Sequence, residues 1–249
     1  MTETQKAIIA DGPRDNGFAL MDDWDPDWAG MCRRMATDPW TSGVLPRKTV
    51  ELIGLAVNAA CTSLNAEGTR RHIAGALEAG ATREEILLVI KMASLLSIHS
   101  CSVGAPILLE EAATAGVPHS RRTPAPPTPV SDLMRQKGMW NDAWEPFFAL
   151  DPAWTDAFMA AGVGVYAGGV IEPKLAELLS IAFDASITHM YAPGTRRHIR
   201  AALSHGATVG EIMEVLKLCV VQGVQAANMA LPILAEELER AGLARETRT

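Results

Sequence analysis

The chain has 249 residues, of which 48% are hydrophobic and 20% are charged, and its formal net charge at pH 7 is -7. This composition is typical of a folded globular protein that holds one large domain or two small ones. The acidic balance argues against nucleic acid as a main partner, because phosphate binding requires clustered Lys and Arg side chains.

The sequence shows no pattern of export or membrane insertion. Residues 1–20 lack a basic segment followed by an apolar core, so we expect no secretory signal and a cytoplasmic location. Residues 86–103 come nearest to the roughly 20 apolar residues that span a bilayer, but Lys91 and His99 interrupt them, and we expect no membrane partner. The cysteines lack close pairing and are expected to be reduced thiols. They are Cys32, Cys61, Cys101 and Cys219.

In chain order, the first well-marked helix is predicted over residues 46–64, where apolar side chains and alanines suit a mostly buried helix. Pro46 can occupy its first turn. A short helix follows, with Thr69 as its N-cap and Gly80 as its left-handed stop.

Two more helices complete the unit. Residues 82–85 read TREE, a capping box that opens a longer helix to about His99, and residues 208–211, TVGE, match it in the second copy. A last helix is predicted from about Pro106 toward Gly116.

These helices belong to a unit that occurs twice. Residues 68–73 read GTRRHI, and the same letters recur at 194–199, 126 positions later. The offset holds without a gap for further pairs: Glu51 with Glu177, Gly80-Ala81-Thr82 with Gly206-Ala207-Thr208, Lys91 with Lys217, and Pro106-Ile107-Leu108 with Pro232-Ile233-Leu234. No segment shows the period-two alternation of a strand. The sequence predicts an all-α fold made of a tandem duplicated helical-bundle repeat.

The repeat suggests a domain division. Residues 1–116 would form the first repeat with an N-terminal extension, and residues 133–249 the second repeat. Residues 117–132, VPHSRRTPAPPTPVSD, would connect them, since their prolines favour an extended, semi-rigid segment.

The stretch from Arg47 through Glu51 to GTRRHIAGALEAGATREEILLVI resembles the core of the carboxymuconolactone decarboxylase superfamily. The second copy is similar, with Gln225 where the family usually has proline. The resemblance implies a helical homo-oligomer, a trimer of two-repeat chains being favoured and a dimer possible. Some members decarboxylate a carboxylated lactone without a cofactor, which implies aromatic catabolism here, whereas alkylhydroperoxidase D-like members reduce peroxides through a CxxC pair.

That CxxC pair is missing from the sequence. The matching positions hold Ser63 and Ala66 in the first copy and His189 and Ala192 in the second. A peroxidase using a local dithiol is therefore disfavoured, although a redox enzyme that uses Cys61 or Cys101 stays open as an alternative.

His72 and His198 are the strongest catalytic candidates. Placed third in a short capped helix, each imidazole would feel the positive helix end and stay neutral near pH 7, as a general base requires. The resemblance likewise implies an acid or base role for this histidine. Alternatively, each histidine caps its helix or fills a polar hole.

Glu51 and Glu177 lie in otherwise apolar helices, where a carboxylate needs a partner or becomes protonated. The expected partners are nearby arginines. They are Arg70, Arg71, Arg196 and Arg197. These arginines either form buried ion pairs with the glutamates or bind a substrate carboxylate through paired hydrogen bonds.

Four further residues are candidates for a pocket or for substrate contact. His99, in a polar cluster with Cys101 that the second copy lacks, is predicted to line a pocket, with a buried core histidine as the alternative. His189 and Tyr191 could enter a pocket from the second copy, and Cys61 could contact substrate. The tryptophans are expected to anchor the N-terminal segments of each copy or, alternatively, to wall a cyclic substrate.

The leading hypothesis is a cofactor-independent lyase, either a decarboxylase or an isomerase, that acts on a small unsaturated or lactone carboxylic acid. His72 or His198 would move the proton. We expect no cofactor and no metal, because no standard ligand spacing is present. The rivals are a non-catalytic binding or assembly protein of the same fold and the Cys-dependent redox enzyme.

Overall fold

A computed structural model describes residues 16–118, 126–166 and 168–243 of the chain. The described residues are mainly helical and contain no strand, which confirms the all-α prediction. Residues 1–15, where no secretory signal is expected, and residues 119–125 of the predicted connector lie outside the described residues.

The helices follow the duplication. The first copy contains α1 Asn16–Trp24, α2 Pro26–Thr41, α3 Arg47–Ala59, α4 Ala66–Glu78, α5 Arg83–Leu95 and α6 His99–Thr114, with a 3-10 turn at Leu96–Ile98. The second contains α7 Pro129–Gln136, α8 Glu145–Leu150, α9 Pro152–Tyr166, α10 Pro173–Ala185, α11 Ala192–Ser204, α12 Val209–Val221 and α13 Gln225–Arg240, with 3-10 turns at Asp142–Trp144 and Gln222–Val224.

The predicted start of α4 was wrong. Asn65, rather than Thr69, caps the helix, since its side chain accepts a hydrogen bond from the Gly68 amide. The preceding helix α3 stops at Ala59 instead of continuing to residue 64, because the chain turns there and Leu64 takes a left-handed conformation (φ 50°). His72 is consequently the seventh residue of α4 and not the third.

The last helix of the first copy also starts earlier than predicted. It begins at His99 directly after the 3-10 turn, and Pro106 lies inside it. In the second copy the capping box is confirmed, because Thr208 and Glu211 exchange side-chain hydrogen bonds with each other's backbone amides.

Two helical runs, residues 83–114 and 209–240, are long and apolar enough to cross a membrane by length and composition alone. In the structure each run packs against other helices of its own compact unit: α5 and α6 contact α9 and α8, and α12 and α13 contact α10 and α1.

The described chain divides into two compact units, and each unit draws helices from both copies. The first unit contains α1–α4 and α10–α13. Its core forms where α3 packs against α10. The largest fully buried side chains there are Leu52, Ile53, Leu55, Leu178, Leu179 and Ile181. The predicted domain boundaries at residues 116 and 133 stay a prediction.

Within the first unit, α12 of the second copy crosses α2 and α3 of the first copy. The 3-10 turn that follows α12 is fixed there, because Gln222 donates a hydrogen bond from Nε2 to the Val57 carbonyl at 3.0 Å. The second copy therefore contributes side chains to the surroundings of the first copy's α3–α4 pair.

The second unit contains α5–α9. Its core consists of Ala105, Met134, Phe147 and Met159, with Trp140 and Trp144 packed against it. The rings of Trp140 and Trp144 make an edge-to-face contact with centroids 5.5 Å apart. These two tryptophans therefore anchor the segments that precede α9, as expected.

Candidate functional site

The site is built around a hydrogen bond between α3 and α4. Nδ1 of His72 lies 2.9 Å from Oε2 of Glu51, and both side chains are buried, with Glu51 4% and His72 6% exposed. His72 shares the buried face of α4 with Gly68, Gly75 and Ala76, a spacing of three or four residues. This face points the imidazole, and not the neighbouring arginines, at α3.

The second carboxylate oxygen of Glu51 has two further donors. Its Oε1 accepts hydrogen bonds from Nε of Arg47 at 2.8 Å and from the indole Nε1 of Trp40 at 2.9 Å. The prediction that Glu51 pairs with Arg70 or Arg71 was wrong. Its arginine partner is Arg47, which lies one turn earlier on the same helix. In the second copy Glu177 likewise bonds to His198, rather than to Arg196 or Arg197.

These contacts fix the charge of Glu51. Burial alone would raise the pKa of Glu51, but the hydrogen bonds from His72, Trp40 and Arg47, together with the charge of His72, outweigh burial and lower that pKa. An ionised Glu51 accepts only, so Nδ1 of His72 carries the proton that it donates. When the ring is neutral, this tautomer leaves a lone pair on Nε2.

Two glycines make room for the pair. A Cβ atom at Gly54 would lie 2.4 Å from Cε1 of His72, and one at Gly75 would lie 2.6 Å from Cδ of Glu51. Trp40 covers the imidazole with a nearly parallel ring, at 6.1 Å between centroids and 20° between planes. The imidazole therefore has one permitted position between α3, α4 and α2.

His72 and Glu51 line a cavity of about 420 Å³ whose lining residues all belong to the first unit. Nε2 of His72 has no hydrogen-bond partner among the residues that the structure describes. Other polar lining residues are Thr37, Trp40, Arg47, Asn58, Glu67, Arg70, Arg71, Glu78, Gln222 and Gln225. A volume of this size suits a small molecule.

Two arginine side chains that line the cavity are suited to bind an anionic ligand. Arg70 lines it and forms no hydrogen bond or ion pair among the described residues. Arg71 lines it as well. A guanidinium in such a position can bind a carboxylate through two parallel hydrogen bonds.

In the second copy the same pair has different neighbours. Nδ1 of His198 lies 2.6 Å from Oε2 of Glu177, and Nε2 accepts a hydrogen bond from Nη2 of Arg197 at 2.9 Å. Burial and the charge of Arg197 lower the pKa of His198, against the opposing effect of Glu177. Asp184, 2% exposed, has an oxygen 3.7 Å from the same Nε2, and burial raises the pKa of Asp184 to about 7.

The prediction that the positive end of the helix dipole acts on both histidines was wrong. His72 and His198 are each the seventh residue of their helices, so the first turn, where the dipole acts, ends before them. The proton on Nδ1 of each ring follows instead from a glutamate that accepts a hydrogen bond from that nitrogen.

The other candidate residues lie elsewhere in the described chain. Cys61 is exposed in the turn after α3, and Cys101 is half-buried against the core of the second unit. His99 is the first residue of α6. His189 and Tyr191 lie in the turn before α11, with rings 5.9 Å apart. Their predicted roles stay predictions.

Several lining residues were missed by the sequence reasoning. Arg47 stands four residues before Glu51, a spacing that indicates an ion pair on one helix face, and this signal was available. Trp40 was among the tryptophans for which a substrate wall was the alternative, but its hydrogen bond to Glu51 was not expected. Gln222 comes from a segment whose packing no local pattern reveals. Gln225 was noted only as a departure from the family pattern.

Comparisons with known proteins agree with this description. A sequence model described as the carboxymuconolactone decarboxylase family matches residues 26–97 and 152–236, one match in each repeat. The chain is similar to the crystal structure of a provisionally named gamma-carboxymuconolactone decarboxylase subunit from Burkholderia xenovorans, with 33% sequence identity and a TM-score of 0.81. The similarity covers 95% of this chain and 98% of that one. A comparison with curated proteins found no match.

The close approach of Glu51 to Gly75 can be tested by Gly75→Ala. In a helix interior this change usually stabilises by about 0.5–1 kcal/mol. Here the new methyl group would overlap the carboxylate, so we expect the free energy of unfolding to fall by about 1–3 kcal/mol. Urea unfolding measures the change.

The matched control is Gly104→Ala, in α6, where a Cβ atom meets nothing within 4 Å. It should leave the stability unchanged or raise it. A Gly75→Ala protein at least as stable as Gly104→Ala would contradict the packing described for Glu51.

The raised pKa of Asp184 predicts a pH-dependent stability. The pKa of about 7 in the folded chain lies above the unfolded value of about 3.9. Between these values the folded state keeps a proton that the unfolded state releases, so the free energy of unfolding falls as pH rises. The free energy of unfolding that is lost between pH 4 and pH 7 is on the order of 4 kcal/mol.

Asp184→Asn installs the type of residue found at the equivalent position, Asn58, and removes this dependence. Its stability gain over the unmodified chain should grow from pH 4 to pH 7 in urea unfolding. Asp23→Asn, an exposed site on α1, should give a difference that does not vary with pH. A pH-independent difference for Asp184→Asn would contradict the prediction.

Proposed function

Because the chain belongs to the carboxymuconolactone decarboxylase family, we propose that it is a cofactor-independent lyase, a decarboxylase or isomerase, acting on a small unsaturated or lactone carboxylic acid. The observation that carries the proposal is the Glu51–His72 pair at the cavity of about 420 Å³, with Nε2 of His72 unbonded among the described residues. A positioned imidazole at a small-molecule cavity suits general acid–base catalysis.

The proposed chemistry is proton transfer at Nε2 of His72. In an isomerisation, Nε2 takes a proton from carbon and returns it to another carbon of the same substrate. In a decarboxylation, Nε2 first takes a proton from solvent; carbon dioxide then leaves, the electron pair stays on carbon, and the imidazolium delivers its Nε2 proton to that carbon and returns to the neutral form. Glu51 holds the ring in position and stabilises the imidazolium through Nδ1.

The substrate itself must stabilise the carbanion that forms in the reaction. Without an electron sink from a cofactor, the carbanion must be delocalised by the substrate itself, so an unsaturated or keto-like acid is required. Arg70 and Arg71, which line the cavity, would bind a carboxylate of this acid. Arg47 is engaged with Glu51 and has a positioning role.

Thiol chemistry has less support. Cys61 is exposed and is not among the residues that line the cavity. Burial raises the pKa of Cys219 to about 12, which disfavours the thiolate that a peroxidase needs.

The proposal includes a homo-oligomer, with three chains favoured. Large apolar side chains stay exposed along α12 and α13, as expected for helices that meet another copy. They include Met213, Val220, Met229, Ile233 and Leu234.

The activity can be tested with carboxylated lactones and unsaturated acids, by following carbon dioxide release and ultraviolet absorbance. His72→Gln should lower kcat by about 10²–10⁴-fold, because the proton carrier is lost. Arg70→Leu should mainly raise KM, because it removes a carboxylate contact that the ground state also makes.

His205→Gln is the control, since His205 is exposed at the end of α11 and does not line the cavity. It should keep full activity. Turnover that survives His72→Gln unchanged would contradict the assignment, and turnover lost after alkylation of the cysteines alone would favour the redox alternative.

A further inference from the structure

The duplication has given the chain two Glu–His pairs whose histidines are similarly buried but whose Nε2 atoms differ in access. His72 is 6% exposed and His198 is 7% exposed. In the first pair, Nε2 of His72 is unbonded among the described residues, at the cavity. In the second pair, Arg197 already donates a hydrogen bond to Nε2 of His198 at 2.9 Å.

The lone pair that accepts from Arg197 is the one that a base would use. Glu177 holds the proton on Nδ1 of His198, so Nε2 is the only acceptor of the neutral ring. Protonation there would require the guanidinium to leave and would place two cations side by side. A substrate proton therefore has no open acceptor in the second pair.

Sequence differences beneath the two pairs point the same way. Where the first copy has Gly54 and Gly75, the second copy has Ser180 and Ala201. A Cβ atom at either glycine of the first copy would come within 2.4–2.6 Å of His72 or Glu51. The second pair therefore cannot take the arrangement of the first pair without displacement of its side chains.

A third difference lies on the same helix face. In the first copy Asn58 is neutral, donating to the Gly54 carbonyl and accepting from Asn65, at 2.8 Å in both cases. The second copy has Asp184 at this position, with an oxygen 3.7 Å from Nε2 of His198. An acidic side chain and a guanidinium thus both lie beside the edge of the imidazole that the first copy leaves accessible.

We infer that the chain has one working acid–base site, the Glu51–His72 pair, and that Arg197 locks the Glu177–His198 pair as a structural contact between α10 and α11. That the Glu51–His72 pair works as an acid–base site rests on the proposed function. The lock, meaning the hydrogen bond by which Arg197 occupies Nε2 of His198, does not. Gly54 and Gly75 are positioning residues of the first pair, because a side chain at either glycine would overlap His72 or Glu51 in the positions that they occupy. The sites of an assembled oligomer then equal its chains in number.

The lock can be tested without a substrate. Diethyl pyrocarbonate modifies neutral imidazole nitrogen: the ring nitrogen attacks a carbonyl, an N-ethoxycarbonyl group forms, and ethyl carbonate leaves. The full-length protein is treated at pH 7, and the modification rate of each histidine is read by peptide mass spectrometry. We expect His72 to react at least tenfold faster than His198.

Arg197→Leu should raise the rate at His198 at least tenfold, because it frees Nε2. Arg71→Leu, the same change at the equivalent position of the first copy, should leave the rate at His198 unchanged. Arg197 is exposed, so the variant is expected to fold, and circular dichroism checks this. The rate comparison in the unmodified protein does not depend on any variant.

Equal rates at His72 and His198 in the unmodified protein, or no response of His198 to Arg197→Leu, would overturn the lock. A different result separates the two proposals: if His198 is protected by Arg197 but His72→Gln keeps full turnover, the lock stands and the proposed function fails.

Discussion

The hydrogen bond between the Glu51 carboxylate and Nδ1 of His72 is the interaction on which the site depends. A carboxylate that is 4% exposed is stable only when donors replace water, and His72, Trp40 and Arg47 provide them. These donors keep Glu51 ionised, the ionised Glu51 sets the tautomer of His72, and the tautomer presents Nε2 as the acceptor. The chemistry thus follows from a requirement of folding.

Much of the fold could be predicted from sequence, because helix periodicity, caps and a repeated string are local signals. The importance of Glu51 and His72 could be predicted too, since the first is a charge in an apolar helix and both recur. Their pairing could not, because Arg70 and Arg71 were expected as partners from their charge alone, whereas the face of α4 that meets α3 depends on how the two helices pack.

Trp40 was beyond local reasoning for a different reason. Its indole reaches Glu51 only because α2 folds back against α3, and this packing depends on contacts between distant segments. The same holds for Gln222, which enters the cavity from the second copy. The two copies are therefore not independent. Within the first compact unit, side chains of the second copy complete the cavity of the first copy.

The position of the proton on His72 decides whether Nε2 can accept another, and nitrogen-15 NMR of the protein labelled at histidine measures that position. In the neutral ring of His72, Nδ1 is expected to carry the proton and Nε2 to be bare, and the Nε2 resonance is expected to shift when a small unsaturated carboxylate binds. A proton on Nε2 of the neutral ring, with Nδ1 bare, would contradict the account, because Glu51 would then hold no hydrogen bond from the imidazole.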